Sequence, residues 1–188
     1  MKKIIFLITL LVSTSLVFAQ SRVYTKNGKV KFDATSPSSP ETIVADNDKA
    51  TSVVDMNTGA IQFAVLMKAF LFEKALMQEH FNENYVESDK FPKSDFKGQV
   101  INIKEVNLEK DGVYPVNVKG KLTLHGVTKE VEADGTFTVK DKTISSGKSE
   151  FTVQLADFDI EIPSIVKDKL NKEAKISVEM DYEPLKTS

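Results

Sequence analysis

Between Val116 and Lys140 the chain alternates apolar and polar residues with scarcely a break, VNVKGKLTLHGVTKEVEADGTFTVK. Val116, Val118, Gly120, Leu122 and Leu124 fall on one face, and Asn117, Lys119, Lys121 and Thr123 on the other. After His125-Gly126 the alternation resumes. Val127, Val131, Ala133, Gly135, Phe137 and Val139 oppose Thr128, Glu130, Glu132, Asp134, Thr136 and Thr138. Strand side chains repeat every two residues, so the pattern predicts an antiparallel hairpin with one buried and one wet face. That buried face must cover packed core or a bound ligand.

Most of the remaining chain reads the same way. Lys29 to Thr35 alternates around Val30, Phe32 and Ala34, and Ser36-Pro37-Ser38-Ser39-Pro40 is turn-forming. Ile43 to Ala45 and Thr51 to Met56 flank Asp46-Asn47-Asp48, which predicts a bulge or tight reversal. Asn57-Thr58-Gly59 predicts a turn before a strand over Ala60 to Phe70, apolar on both faces. The run Phe72 to Phe81 holds good helix formers and no Gly or Pro, and predicts the single helix, with Phe72, Leu76 and either His80 or Phe81 as its apolar stripe. Ser94 to Leu108 predicts a strand whose phase slips at Val100-Ile101, as at a bulge. Glu109 to Gly112 and Asp141-Lys142 predict turns. Further strands follow from Thr143 to Ala156 and over Ile176 to Tyr182, with a short helical piece after Pro163.

This gives an all-β chain of about eight antiparallel strands in meander order, with one short helix between early strands. Such a meander closes into a barrel and so removes its edges, or folds as two packed sheets; the barrel is the favoured expectation.

The N-terminus reads differently. Lys2 and Lys3 precede an apolar run from Ile4 to Phe18, and Val17-Phe18-Ala19 fits a cleavage site. Residues 1–19 are therefore expected to be a secretory signal peptide, with a single domain over 20–188 destined for the periplasm or the exterior. No stable membrane anchor is expected after cleavage, because no later stretch reaches the length of a membrane-spanning helix.

Composition narrows the chemistry. The formal net charge is −2, and loss of Lys2 and Lys3 with the signal makes it more negative, so nucleic acid is not an expected partner. The chain has no cysteine, which removes thiol catalysis and thiolate metal sites. It has no phosphate-binding glycine loop, no G-x-S-x-G and no H-E-x-x-H, and neither a cofactor nor a metal is expected. His80 falls on the helix and His125 in a hairpin turn, where histidine tolerates unusual backbone angles. Asp157 and Asp159 read as a solvated loop.

Apolar bulk is what remains. There are 12 phenylalanines and no tryptophan. Gly98, Gly120 and Gly135 fall on inward faces, where they let strands bend or leave room inside. A barrel of this size is either filled by its side chains or holds one small ligand, and the pattern leaves both readings open. Inward parity nominates Phe63, Val65, Phe70, Phe72, Phe96, Val118, Gly120, Leu122, Phe137, Phe151 and Val153 as a lumen wall. His80 and Lys129 are the candidates for the mouth. Lys129 falls on an inward face near a strand end, so its ammonium reaches water or meets a ligand head group.

LTLHGVTKEV (Leu122 to Val131) resembles the signature segment of the YceI-like family of secreted bacterial lipid-binding barrels. Phe91-Pro92-Lys93-Ser94-Asp95-Phe96-Lys97-Gly98 resembles that family's aromatic-Pro-x-x-x-Phe segment, and Met77 to Phe81 the helix before it. Asp157-Phe158-Asp159-Ile160 is similar to its D-F-x-I element, although an Asp stands where Gly or Asn is common. The resemblance implies a lipocalin-like barrel with an isoprenoid or other amphiphilic chain in its lumen, and no shared catalytic motif. It favours an enclosing, non-enzymatic binding protein. The alternatives are a filled-barrel envelope stress or interaction protein and an enzyme on a lipid-like substrate using His80 or His125.

Overall fold

The computed structural model describes residues 21–185, so the expected signal at 1–19 lies outside the described residues. Ten strands form one sheet: β1 Arg22–Thr35, β2 Val44–Asp55, β3 Ala60–Leu66, β4 Leu71–Phe72, β5 Lys93–Val100, β6 Gly112–Leu124, β7 Val127–Lys140, β8 Thr143–Gln154, β9 Leu170–Asp181 and β10 Glu183–Pro184. The two-residue strands β4 and β10 extend the sheet beside β2 and β1. The eight long strands pair antiparallel in chain order, and β1 pairs with both β9 and β2, which closes the barrel. The all-β meander barrel holds, and the sandwich does not.

Two hairpins carry the backbone geometry that their sequences demand. His125 and Gly126 have φ of 51° and 78°, and Asp141 and Lys142 have φ of 51° and 63°. Two consecutive residues at positive φ give a two-residue turn whose twist matches the flanking strands. Gly126 needs its freedom, and the other three residues are held there by the ladders on either side.

The elements depart from the sequence reading in four places. Asp46-Asn47-Asp48 is not a reversal: it lies inside β2, with a register irregularity between Gly28 and Val30 of the facing strand. Asn47 is buried there, and its Nδ2 donates to Leu66 O at 2.9 Å. The slip at Val100-Ile101 is the end of β5 and not a bulge, and a 3-10 turn at Ile103–Glu105 follows. The helix α1 covers only Ala75–His80, because Phe72 is drawn into β4 opposite Ala45. Its apolar stripe fails too: Leu76 is exposed, and Phe81, in the wider turn Phe81–Tyr85, is the buried anchor.

The barrel has two unlike ends. At one, Val23, Val54, Val100, Val139 and Ile144 are fully buried, and Ile103 and Val106 of the segment after β5 pack into the same core. At the other, α1, the β1–β2 loop and the segment between β8 and β9 surround an opening. Among the described residues no helix is long and apolar enough to cross a membrane.

Candidate functional site

Above the packed base the barrel encloses a cavity of about 490 Å³. That volume lies in the range of small-molecule sites, about 300–1,000 Å³. Ile61, Val116, Met180 and Tyr182 make its floor, and the Tyr182 hydroxyl is hydrogen-bonded to Ser52 at 2.9 Å. Burial pushes the Tyr182 phenol well above its ordinary range, with the Ser52 bond acting in the opposite direction.

The wall follows strand parity. Phe63 and Val65 from β3, Phe96 from β5, Val118 and Leu122 from β6, Phe137 from β7, and Phe151 and Val153 from β8 all border the cavity. Phe70 and Phe72, beyond β3, border its upper part. Gly120 does not border it. Gly120 faces Gly98 across β5 and β6, and a Cβ there would come within 2.7 Å of Phe96 Cζ, so the phenylalanine ring occupies the space that the glycines leave.

The two mouth candidates separate. His80 borders the cavity from the end of α1 and is exposed. Lys129 is opposite Leu122 in the ladder and shares its face, but it is exposed and does not border the cavity. The charged rim comes instead from Lys74, Glu41 and Lys169. Lys74 donates to Glu41 Oε1, and Lys169 Nζ stands 3.9 Å from Glu41 Oε2. The Lys74 hydrogen bond holds the Glu41 carboxyl below its usual range. These exposed pairs contribute little stability.

Parity also pointed to wall residues that the nomination omitted. Ile176, Val178 and Met180 alternate along β9 and all face inward. Phe32 on β1 and Phe81 after α1 form an aromatic cluster with Phe70 and Phe72, with ring centroids 5.0–6.4 Å apart. This cluster narrows the mouth and ties the helical segment to the wall.

His125 lies outside the lumen with its side chain only 11% exposed. Its Nε2 meets Glu87 Oε2 at 2.8 Å, its Nδ1 meets the Phe158 carbonyl at 3.0 Å, and the Phe91 ring stands edge-on to it at 4.7 Å. Both partners are acceptors, so the ring engages both when each nitrogen carries a hydrogen. Glu87 and Asp159, flanking this contact, have φ of 43° and 54°. Asp159 ends the turn Leu155–Phe158 in that left-handed conformation, and no acid–base pair forms between it and Asp157. No group of three or more potential metal ligands occurs among the described residues.

Known proteins place this architecture. Residues 12–182 match the model of the YceI-like domain family. Among solved structures, the chain resembles a polyisoprenoid binding domain from Saccharophagus degradans implicated in plant cell wall breakdown, with a TM-score of 0.73 at 12% identity, covering 89% of this chain and 100% of that one. BcnA of Burkholderia cenocepacia gives a TM-score of 0.63 at 14% identity, covering 81% and 94%. The YCEI protein of Campylobacter jejuni gives 0.51 at 12% identity, covering 76% and 85%. No curated protein matches the chain. The extent of the family match, over a barrel of the same fold as these structures, shows that the chain belongs to the YceI-like family.

Proposed function

We propose that this protein is an exported carrier that encloses one apolar chain, an isoprenoid or fatty-acyl amphiphile, for transport, storage or sequestration. The observation that carries the reading is the cavity itself, with its aliphatic and aromatic wall, closed floor and single charged rim. Burying methylenes contributes about 0.8 kcal/mol each, so a long chain binds there without a polar anchor inside. The structural likeness to a polyisoprenoid binding domain supports the same class of ligand. The export route rests on the signal-like residues 1–19. Lumen chemistry supports enclosure over catalysis: none of its bordering residues supplies a nucleophile hydrogen-bonded to a base.

The test is native mass spectrometry of protein purified from its host compartment, compared with its denatured mass. A co-purifying apolar species is expected. Val118→Trp, which fills the lumen from β6, is expected to abolish uptake of an isoprenoid probe and leave the circular dichroism spectrum unchanged. An empty protein that takes up neither isoprenoid nor acyl probes overturns the reading.

A further inference from the structure

The wall of the barrel is not hydrogen-bonded all the way up. Between β7 and β8 the ladder runs from Lys140 opposite Thr143 to Gly135 opposite Ser149 and stops there. Continued in register, it would set Asp134 against Glu150, Ala133 against Phe151, and Val131 against Val153. Instead Val127 to Asp134 pairs only with β6, and Glu150 to Gln154 only with β9. At about 3.3 Å per residue, the unpaired stretch of β8 spans roughly 16 Å. The alternate residues Val131 and Ala133 on one lip, and Phe151 and Val153 on the other, border the lumen. The gap in the ladder is therefore a slit in the wall of the cavity.

Charge explains why the strands do not zip. Like charges directly opposite each other destabilise a strand pair, and Asp134 would meet Glu150. Glu150 turns to Lys175 on β9 at 2.8 Å, and Asp134 accepts from Asn117 Nδ2 on β6 at 3.0 Å. The lower end of the slit is pinned. Ser149 Oγ donates to the Asp134 carbonyl at 2.7 Å, and the strands cross so closely that a Cβ on Gly135 would lie 2.5 Å from Lys148 O. At the upper end, His125 of the β6–β7 turn reaches Phe158, beyond β8, and Glu87, beyond the helical segment.

We propose that this slit is a lateral portal through which the apolar chain passes into the lumen, with His125 as its clasp. The proposal rests on the carrier reading above. Threading a long chain end-on would draw its whole length past the Phe32, Phe70, Phe72 and Phe81 rings and the Lys74–Glu41–Lys169 rim. Passing sideways moves each methylene by only about one strand spacing, ~4.8 Å, and breaks no ladder bond along the slit. The ladders β5–β6, β6–β7 and β8–β9 run without a register break beside the same lumen, and opening any of them would expose paired backbone groups.

The chain has no cysteine, so a staple can be introduced cleanly. Glu132→Cys with Thr152→Cys places two outward, exposed positions across the slit, joined by oxidation or by a short bismaleimide. The probe is a fluorescent isoprenoid alcohol presented in phosphatidylcholine vesicles. Stapling is expected to slow uptake by about tenfold or more, with reductant restoring the rate of the disulfide form, as for an enclosed site whose gating sets the rate. Gln99→Cys with Lys119→Cys, a pair already laddered on β5 and β6, is the control and is expected to load at the wild-type rate when joined. His125→Ala is expected to speed uptake while leaving the final occupancy unchanged, whereas a merely structural clasp would lower that occupancy. A stapled slit that loads at the control rate overturns the portal and leaves the carrier standing. Wild-type protein that fails to bind the probe even from detergent solution overturns the carrier itself.

Discussion

Gly98 and Gly120 stand opposite each other on β5 and β6, and neither has room for a side chain. A Cβ on Gly120 would lie 2.4 Å from both Gly98 Cα and Lys97 O, and one on Gly98 would lie 2.5 Å from Lys119 O. The pair lets two backbones approach while the Phe96 ring covers them. Gly120→Ala is therefore expected to destabilise the fold by about 1–3 kcal/mol, read from urea denaturation, as overpacking does. Adding Phe96→Ala is not expected to recover that loss, because the backbone contacts remain. A Gly120→Ala variant as stable as the parent would show that the strands part freely there.

Phe81 is the anchor of the helical segment, with ring centroids 5.0, 5.5 and 5.6 Å from Phe72, Phe32 and Phe70. Phe81→Ala is expected to cost about 3–5 kcal/mol, the usual loss for a buried phenylalanine. Hydrogen exchange is expected to rise over residues 75–86 before it rises in the strands. Equal acceleration throughout the barrel would contradict that local role.

Tyr182 makes the base sensitive to alkali. Its phenol is held neutral by burial in the folded state, while in the unfolded chain it ionises near a pH of about 10. A raised acid pKa means that the folded form holds the proton longer, so its contribution is present below about pH 10 and is lost as pH rises beyond it. Denaturation midpoints at pH 8 and pH 11 are expected to differ more for the wild type than for Tyr182→Phe. At neutral pH that variant is expected to lose about 1–3 kcal/mol, because it leaves the Ser52 hydroxyl unpartnered.

Glu87 works in the opposite direction. The His125 hydrogen bond holds its carboxyl below the usual range, with Lys90 adding to the effect and desolvation opposing it. A depressed carboxyl pKa gives a contribution that is present above the unfolded value of about 4.3 and is lost as pH falls through the folded one. The difference in midpoint between wild type and Glu87→Gln is expected to shrink between pH 7 and pH 3. A difference that stays constant would mean that the charge on Glu87 contributes nothing.

What the sequence made legible follows from how far each signal reaches along the chain. Period-two alternation is local, so the strands and most of the wall, from Phe63 to Val153, could be read from parity alone. The role of Gly120 depends on Gly98, its partner across the ladder, and on a ring two residues further along β5. Phe72 has helical neighbours, yet its pairing with Ala45 overrides them. The Val100-Ile101 slip looked like a bulge because a strand that ends and a strand that bulges lose phase in the same way. The clasp joins residues 87, 125 and 158, which no local pattern connects. The slit is a set of bonds that do not form, and its only trace in the sequence is an acidic residue at 134 and another at 150.

The solid base beneath Met180 and Tyr182 also acts as a ruler. A chain seated on that floor cannot gain depth by pushing further in, because Val54, Val100, Val139 and Ile144 already fill the space beyond. Cargo length is thus measured upward from the floor. Short chains leave the upper lumen vacant, matched chains end level with the rings of Phe32 and Phe81, and longer ones must project past the lysines of the rim. A protein built this way grades a homologous series of lipids by length with the same wall residues throughout.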